Sequence, residues 1–271
     1  MFEPSVSVPD HLSDAPGRWF LFDEQRALLF VDSAIPVGIE PPIPVRDMLV
    51  LGTDADGPVL TGLINSEDVA GLAEGATLDL RHAFVVMDED DWHMAGRASQ
   101  VLTWDADHGC CSRCGAETER HHVDRARSCG QCGFQAYPRL TPAVIALVER
   151  EDGRALLAWG RQFPGRFFSA LAGFVEPGES LEGAVAREIK EEAGIEVANI
   201  RYFGSQPWPF PHSIMIGFNA DYAGGEIRIQ ESEIVEADWF APDQLPPVPA
   251  GRMSIAAWLI EDWIRRRGEG I

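Results

Sequence analysis

The stretch that decides the fold is Gly173-Phe-Val-Glu-Pro-Gly-Glu179-Ser-Leu-Glu-Gly-Ala-Val-Ala-Arg187-Glu188-Ile-Lys-Glu191-Glu192-Ala-Gly194-Ile195. It has the order of a loop, a helix and a helix stop. Ser180 suits the N-cap position, where a hydroxyl accepts a hydrogen bond from the first helical turn. Gly194 can adopt the left-handed conformation that ends many helices. We therefore predict a helix between Ser180 and Gly194.

Three glutamates share one face of this predicted helix. Glu188, Glu191 and Glu192 stand at positions i, i+3 and i+4. At roughly 100° per residue they continue the apolar stripe that contains Leu181, whereas Lys190 points the opposite way. Like charges on an inward-facing stripe repel one another unless a cation lies among them. Carboxylate oxygens suit Mg²⁺ or Mn²⁺, so the pattern predicts a divalent-metal site for phosphate chemistry.

The five cysteines lie close together upstream of this helix. Cys111 and Cys114 form one C-x2-C pair, Cys129 and Cys132 form a second, and each pair is followed by a glycine that allows a tight turn. Four thiolates suit tetrahedral Zn²⁺ and leave no open position for water, so we predict one structural zinc ion per chain. Cys110 offers an alternative C-x3-C register, which we rank below this pairing. A redox dithiol is the other interpretation, and two such pairs make it weak.

Composition limits the classes of protein that the chain can be. Its 271 residues carry 22 Lys+Arg and 43 Asp+Glu, a formal net charge of −21. With 45% hydrophobic residues it can form roughly two domains with real cores, which excludes disorder as the main state. No apolar run reaches the ~18 residues of a membrane span, and the N-terminus lacks a signal sequence, so we expect no membrane association and a cytoplasmic location. The negative charge opposes nonspecific binding to nucleic acids.

The cysteine segment divides the chain into three predicted domains. Residues 1–106 mix apolar clusters with turn signals, which predicts a smaller α+β N-terminal domain. Residues 107–137 form the predicted zinc ribbon. Residues 138–271 begin with apolar runs of strand length and continue into the acidic helix, which predicts an α/β domain.

Four arginines form a basic island within the cysteine segment: Arg113, Arg120, Arg125 and Arg127. Such an island can bind the phosphates of a polyanion such as RNA. Acidic residues lie between these arginines, so a solvated hairpin is an equally good interpretation.

A proline-rich stretch, Gly204-Ser-Gln-Pro-Trp-Pro-Phe-Pro-His-Ser213, follows the helix. Its three prolines stiffen a segment that carries Trp208 and Phe210 among amide and hydroxyl groups. It can form a stacking wall for a flat ligand. A rigid turn that faces the core is the alternative, and the stretch alone does not decide between them.

The acidic stretch matches the pattern G-x5-E-x7-R-E-U-x-E-E-x-G-U, where U is aliphatic, at every fixed position. In this it resembles the Nudix hydrolases, which cleave nucleoside diphosphates linked to another moiety. The resemblance implies an α/β/α sandwich in which Glu188, Glu191 and Glu192 bind metal and Arg187 orients Glu179. It also makes Glu191 our first choice for the general base, with Glu192 second.

The stretch S-Q-P-W-P-F-P-x-S and the preceding four-cysteine ribbon are similar to those of the NADH pyrophosphatase subfamily, whose bacterial members also remove NAD caps from RNA. The resemblance covers roughly residues 80–271, and residues 1–79 align poorly. It implies hydrolysis of NAD(H) to NMN(H) and AMP, and removal of NAD caps to leave 5′-monophosphate RNA. It further implies two to three Mg²⁺ or Mn²⁺ ions and a homodimer.

The subfamily resemblance also implies individual roles. Tyr137 of one subunit and Phe174 of the other stack on the ligand, and a further metal ligand falls at Glu233, with Glu231 and Glu236 as neighbours that are easily confused with it. The remaining implied positions are Ala172, which binds metal through its carbonyl; Ala256; the weaker matches Arg81 and Asp124; and Ser205, Gln206, Pro207, Trp208, Pro209, Phe210, Pro211, His212 and Ser213 of the proline-rich stretch.

Two other functions stay open at this stage. The first is hydrolysis of another dinucleotide, such as ADP-ribose or a diadenosine polyphosphate. The second is a zinc-ribbon protein that senses a nucleotide through a catalytically inactive Nudix fold. An inactive fold is expected to have lost an acidic ligand, and all the acidic positions of the pattern are present here.

Overall fold

The computed structural model describes residues 1–163, 165–251 and 253–268. It divides into two compact units, residues 1–139 and residues 140–271. The predicted N-terminal domain and zinc ribbon both fall within the first unit. None of the helices in the described ranges is long and apolar enough to cross a membrane.

The first unit contains a seven-stranded sheet with the order β1-β5-β6-β2-β3-β7, in which β4 also pairs with β2. Strands β2 and β6 are parallel, and the other pairs are antiparallel. The strands are β1 (Glu3–Pro4), β2 (Gly17–Phe22), β3 (Leu28–Val31), β4 (Val37–Gly38), β5 (Arg46–Asp54), β6 (Gly57–Leu63) and β7 (Gly75–Leu78).

The helices of this unit are α1 (Ser66–Ala70), α2 (Leu80–Ala83) and α3 (Glu89–Asp107). A short 3-10 turn at Asp10–Leu12 lies between β1 and β2. Strand β2 is almost entirely apolar, because its residues are buried on both sides. The ribbon follows α3 as three short antiparallel strands, β8 (Glu119–Arg120), β9 (Arg127–Ser128) and β10 (Gln135–Ala136).

In the described part of the second unit, a six-stranded sheet has the order β14-β15-β11-β12-β16, and β13 pairs with β11. Its strands are β11 (Thr141–Glu149), β12 (Ala155–Gly160), β13 (Leu171–Phe174), β14 (Glu196–Trp208), β15 (Ser213–Gly224) and β16 (Ile234–Phe240). The helices are α4 (Leu181–Ala193) and α5 (Ile255–Gly268).

The two helices lie on opposite faces of this sheet. Val144, on β11, belongs to the apolar cluster that contains Val185 of α4, whereas its neighbour Ile145 belongs to the cluster that contains Leu259 of α5. Successive residues of a strand point to opposite faces, so one strand supplies both cores. This arrangement confirms the predicted α/β/α sandwich.

Helix α4 has the predicted ends. The Ser180 hydroxyl accepts a hydrogen bond from the Gly183 amide at 3.1 Å, and Gly194 is left-handed with φ of 75°. The helix therefore begins and ends where its sequence requires, with Glu192 buried and Glu191 exposed.

Candidate active site

The three predicted metal ligands of α4 have different surroundings, and Glu188 is the one that lies against strand β13. Glu192 is 6% exposed, while the side chain of Glu191 is 55% exposed. The Glu188 carboxylate lies so close to Gly173 that a Cβ at residue 173 would overlap it. The glycine that opens the pattern therefore makes room for a carboxylate.

Glu192 carries an electrostatic penalty that a cation would relieve. Burial raises the pKa of its carboxyl to about 8, and the negative charges of Glu188, Glu233 and Glu191 contribute to the increase. A buried carboxylate among other carboxylates is unfavourable without a positive partner. The donor set consists of oxygen atoms only, which fits Mg²⁺ or Mn²⁺.

Arg187 places a positive charge among three carboxylates and donates hydrogen bonds to each of them. Its guanidinium binds both oxygens of Glu179, at 2.8 and 2.9 Å, and also donates to Glu188 at 2.8 Å and to Glu191 at 3.2 Å. A fourth contact, at 2.9 Å, reaches the carbonyl of Phe174. The hydrogen bonds to Glu179 and then Glu188 raise the pKa of Arg187, so it stays charged. One arginine does not balance this many acids.

Glu233 joins the cluster from the segment before β16. The Gln230 amide donates to the Glu192 carbonyl at 2.9 Å, and the Gln230 side chain donates to the Glu233 carboxylate at 3.3 Å. This link carries Glu233 toward Glu192, whose pKa it raises.

The two neighbouring glutamates have other surroundings. Glu236 forms an ion pair with Arg166 at 2.6 Å. The backbone carbonyl of Glu231 accepts a hydrogen bond from Arg161 at 2.5 Å. The hydrogen-bonded link through Gln230 connects Glu233 to Glu192, so the geometry favours Glu233 among the three predicted candidates.

Strand β13 separates the acidic cluster from an exposed aromatic ring. Gly173 pairs with Val144 on the α4 face, whereas Phe174 pairs with Ala143 on the α5 face. The Phe174 side chain is 57% exposed. Ala172 precedes them on the same strand, within the core under α5.

Register places four residues in one row across the α5 face, which we call the α5-side row: Gln206, Met215, Ala143 and Phe174. The next row contains Trp208, Ser213 and Thr141, again from three neighbouring strands. Met215 and Ala143 were not predicted from the sequence, because they come into one row with Phe174 only through strand pairing. Strand alternation from Ser213 was the available signal for Met215.

The proline-rich stretch is a hairpin between β14 and β15. Trp208 and Phe210 make an edge-to-face contact with ring centroids 5.2 Å apart. His212 binds the start of β11: its carbonyl accepts the Thr141 amide at 2.9 Å, and its Nδ1 lies 3.1 Å from the Thr141 hydroxyl. Three of the predicted residues are buried (Gln206, Pro209 and Ser213), three are half-buried (Trp208, Phe210 and His212), and Ser205, Pro207 and Pro211 are exposed. The buried residues agree with a turn that faces the core, and the stacking wall stays a prediction.

Ala256 belongs to the first turn of α5. It is 6% exposed, and the preceding Met253 is 38% exposed. Ile255 lies over Gly217 of β15, where a Cβ would come within 2.7 Å of its side chain. The start of α5 therefore lies directly on the sheet, over the row of Gly217, Ile145 and Ala172, which is on the other side of the α5-side row from Trp208.

Three predicted contact residues belong to the first unit. Tyr137 is 55% exposed and its hydroxyl donates to Gln135 at 3.2 Å. Asp124 is exposed in the ribbon, where its amide donates to Nδ1 of His121 at 3.0 Å. Arg81 is exposed on α2, and its amide donates to Asp79 at 2.9 Å.

The four predicted zinc ligands form one cluster. The sulfur atoms of Cys111, Cys114, Cys129 and Cys132 all lie within 4.8 Å of one another. Left-handed glycines, at φ of 77° and 70°, follow the two pairs and close their turns. Cys110 is exposed and outside this cluster, so the C-x2-C register is the one that the fold uses.

The arginines of the basic island make specific contacts within the first unit. Arg120 and Arg127 form ion pairs with buried Asp105 of α3, at 2.8 and 2.7 Å. Arg125 donates to three backbone carbonyls of residues 5, 50 and 51. Arg113 lies over the ring of Phe134. Three of the four arginines therefore hold the ribbon against the rest of its unit, and their guanidinium groups are engaged there.

Comparison with known proteins agrees with this geometry. The NUDIX domain family matches residues 139–259. A protein named NAD-capped RNA hydrolase NudC from Pseudomonas entomophila is 48% identical over 188 residues, which cover 69% of this chain and 67% of that protein. A crystal structure of a NUDIX hydrolase from Nitrosomonas europaea has a TM-score of 0.50 at 25% identity and covers 59% of this chain and 93% of that chain. The chain belongs to the Nudix hydrolase family.

A second relative extends the similarity along nearly the whole chain. A protein from Pseudomonas fluorescens, also named NAD-capped RNA hydrolase NudC, is 40% identical over 261 residues and covers 94% of this chain and 92% of its own length. The similarity thus reaches into residues 1–79, which we had expected to align poorly. Because it belongs to the Nudix hydrolase family, the protein is a hydrolase of pyrophosphate bonds.

Proposed function

We propose that this enzyme hydrolyses the diphosphate of NAD(H) to NMN(H) and AMP, and removes NAD caps from RNA to leave a 5′-monophosphate end. One observation carries the proposal: adjacent residues of β13 face an acidic cluster on one side and present an exposed phenylalanine ring on the other. A dinucleotide requires both features, because it joins a charged diphosphate to flat bases. The names of the two Pseudomonas relatives support NAD-capped RNA as a substrate.

Two or three Mg²⁺ or Mn²⁺ ions are the proposed catalytic cofactors. Glu188, Glu191, Glu192 and Glu233 are the proposed ligands, together with the carbonyl of Ala172. The raised pKa of Glu192 supports this assignment, since it reports a concentration of negative charge. Bound ions would neutralise the diphosphate and make a water molecule more acidic.

Proton transfer is assigned to Glu191. Its carboxylate is the most exposed of the three proposed ligands on α4 and lies 3.2 Å from Arg187, so it can reach a water that attacks phosphorus in line. Glu192 is the second candidate. Arg187 keeps Glu179 and Glu188 in place through hydrogen bonds to both.

Base recognition is assigned to Phe174, to Tyr137 of a partner subunit in a homodimer, and to the hairpin of β14 and β15. Phe174 and Tyr137 are both exposed aromatic rings, which suits stacking on a nicotinamide or an adenine. Arg81, Asp124 and Ala256 are proposed as additional contacts. Sedimentation tests the homodimer: an active monomer would contradict a pocket shared between subunits.

Zinc has a structural role in this proposal. The four sulfur atoms provide a complete tetrahedral set, with no position left for a reacting water. Four thiolates suit a reducing compartment, so we place the activity in the cytoplasm.

Product analysis tests the function. The purified enzyme with Mg²⁺ or Mn²⁺ is offered NADH, NAD-capped RNA, ADP-ribose and diadenosine polyphosphate. We expect NADH to yield NMNH and AMP, and capped RNA to yield a 5′-monophosphate end. Faster hydrolysis of ADP-ribose or of the diadenosine compound would favour another dinucleotide, and no hydrolysis of any substrate would favour a sensor.

A further inference from the structure

Gln206 lies at one end of the α5-side row, and Phe174 lies at the other. Strands β15 and β11 run between them and place Met215 and Ala143 in the middle of the row. Three strand spacings separate the ends, or roughly 14 Å between backbones. Ala143, the neighbour of Phe174 in the row, is small and buried, so it leaves space beside the Phe174 ring.

The Gln206 side chain is engaged with α5. It is 1% exposed, its Oε1 accepts a hydrogen bond from the Ile255 amide at 2.8 Å, and its Nε2 donates to the Met253 carbonyl at 3.3 Å. The carboxamide therefore binds the backbone on both sides of Ser254. This use differs from the direct ligand contact that the sequence resemblance implied for Gln206.

We propose that Gln206 is a positioning residue for base recognition. Its two hydrogen bonds fix the start of α5 on the sheet, and with it the exposed side chain of Met253 and the first turn around Ala256. The start of α5 and the Phe174 ring lie on the same face of the sheet, so both can contact one bound nicotinamide ring. The inference rests on the proposed function, because it concerns how the same site holds the base.

The location of Gln206 separates this role from hydrolysis. The acidic cluster lies on the α4 face of the sheet, whereas Gln206 and α5 lie on the other face. Loss of the Gln206 contacts should therefore weaken binding of the ring and leave the chemistry at the diphosphate largely intact. In kinetic measurements this appears as a higher KM with little change in kcat.

The first test is Gln206→Met, which keeps a similar volume and removes both hydrogen bonds. We expect the KM for NADH to rise roughly tenfold, because one buried and one partly buried hydrogen bond are lost, while kcat changes less than about twofold. Binding of NMN, which carries the ring, should weaken by a similar factor in the presence of Mg²⁺. Binding of ribose 5-phosphate, which lacks the nicotinamide ring, should stay unchanged.

A matched control removes a hydrogen bond at the other end of α5. The indole of buried Trp263 donates to the Gly153 carbonyl at 3.2 Å. Trp263→Phe loses this bond and keeps an aromatic side chain in the core. We expect it to lower Tm, as Gln206→Met does, without raising the KM for NADH.

A second variant covers the case in which Gln206→Met does not fold. Gln206→Glu keeps an acceptor for the Ile255 amide, and a carboxylate is favourable near the start of a helix. It loses the donor to Met253, so we expect the KM to rise about threefold.

The inference is overturned if a folded Gln206 variant keeps the wild-type KM, if ribose 5-phosphate binding weakens as much as NMN binding, or if Trp263→Phe raises the KM equally. Failure of the proposed function is visible separately, as absence of NADH hydrolysis by the wild-type enzyme.

Discussion

The Glu188 carboxylate occupies the space that a side chain at residue 173 would need. The backbone of Gly173 is not in the left-handed conformation, so alanine can adopt it without strain. The effect of alanine at this position therefore comes from the overlap with Glu188. Gly173→Ala should therefore displace Glu188 without unfolding the domain. We expect kcat to fall about a hundredfold and the required Mg²⁺ concentration to rise, measured by metal titration of NADH hydrolysis. Gly268→Ala is the control, because a Cβ there meets no neighbouring atom; equal losses in both variants would contradict the argument.

Glu191→Gln removes the proposed proton acceptor and keeps its shape. The side chain is 55% exposed, so stability should change little. We expect kcat to fall by about 10² to 10⁴ with near-normal binding of NADH. Steady-state kinetics and thermal unfolding measure the two effects. Near wild-type turnover would transfer the role to another group, Glu192 first.

Glu192→Gln should change stability in opposite directions with and without metal. The pKa of Glu192 in the folded protein, about 8, lies above its ordinary value. In the metal-free protein the folded state therefore holds a proton that the unfolded state has lost, and stability falls as pH rises from about 4.5 to about 8. At pH 8 without metal, the variant should be more stable than wild type by on the order of 1–2 kcal/mol.

With Mg²⁺ the order should reverse, because only the wild type regains a full set of ligands. Urea unfolding with EDTA or with Mg²⁺ measures both effects. Glu182→Gln, at an exposed position of the same helix, should show neither. If metal stabilises Glu192→Gln as much as wild type, Glu192 is not a ligand.

Asp105→Asn should weaken the attachment of the ribbon to α3. Burial raises the pKa of Asp105, but hydrogen bonds from Arg120 and Arg127 outweigh it and leave that pKa below its ordinary value. The carboxylate therefore stabilises the fold above its ordinary pKa, and this stability is lost as pH falls through the lower pKa of the folded state. We expect a loss of about 3 kcal/mol at pH 7. Urea unfolding measures it, and Asp107→Asn, at an exposed position of α3, is the control.

Cys129→Ser should release zinc and unfold the ribbon. Removal of one thiolate opens the tetrahedral set, and zinc binding contributes directly to the stability of small metal domains. Elemental analysis and thermal unfolding check the result, with Cys110→Ser expected to retain one zinc ion per chain. Unchanged zinc and stability in Cys129→Ser would remove the structural site.

Local features of the site were predictable from sequence, and contacts between distant segments were not. The ends of α4 and its acidic face follow from helix geometry over a few residues, and the cysteine cluster follows from short spacings. Arg125 instead binds carbonyls more than 70 residues away, and Gln206 binds α5 across 47 and 49 residues. Such contacts depend on how strands pair and helices dock. Composition and spacing carry no information about those choices.

Gly173 and Phe174 are adjacent but face opposite sides of β13. The acidic side of the site and the base-binding side can therefore change independently. Substitutions in β14, in the hairpin or at the start of α5 can change which base is accepted without altering the acidic face of α4. Conversely, a shift of β13 by one residue would exchange the faces to which Gly173 and Phe174 point. It would abolish hydrolysis and base recognition together. Substitutions that change the accepted substrate should therefore accumulate among the residues under α5. We expect the segment from Gly173 to Glu192 to tolerate neither insertions nor deletions.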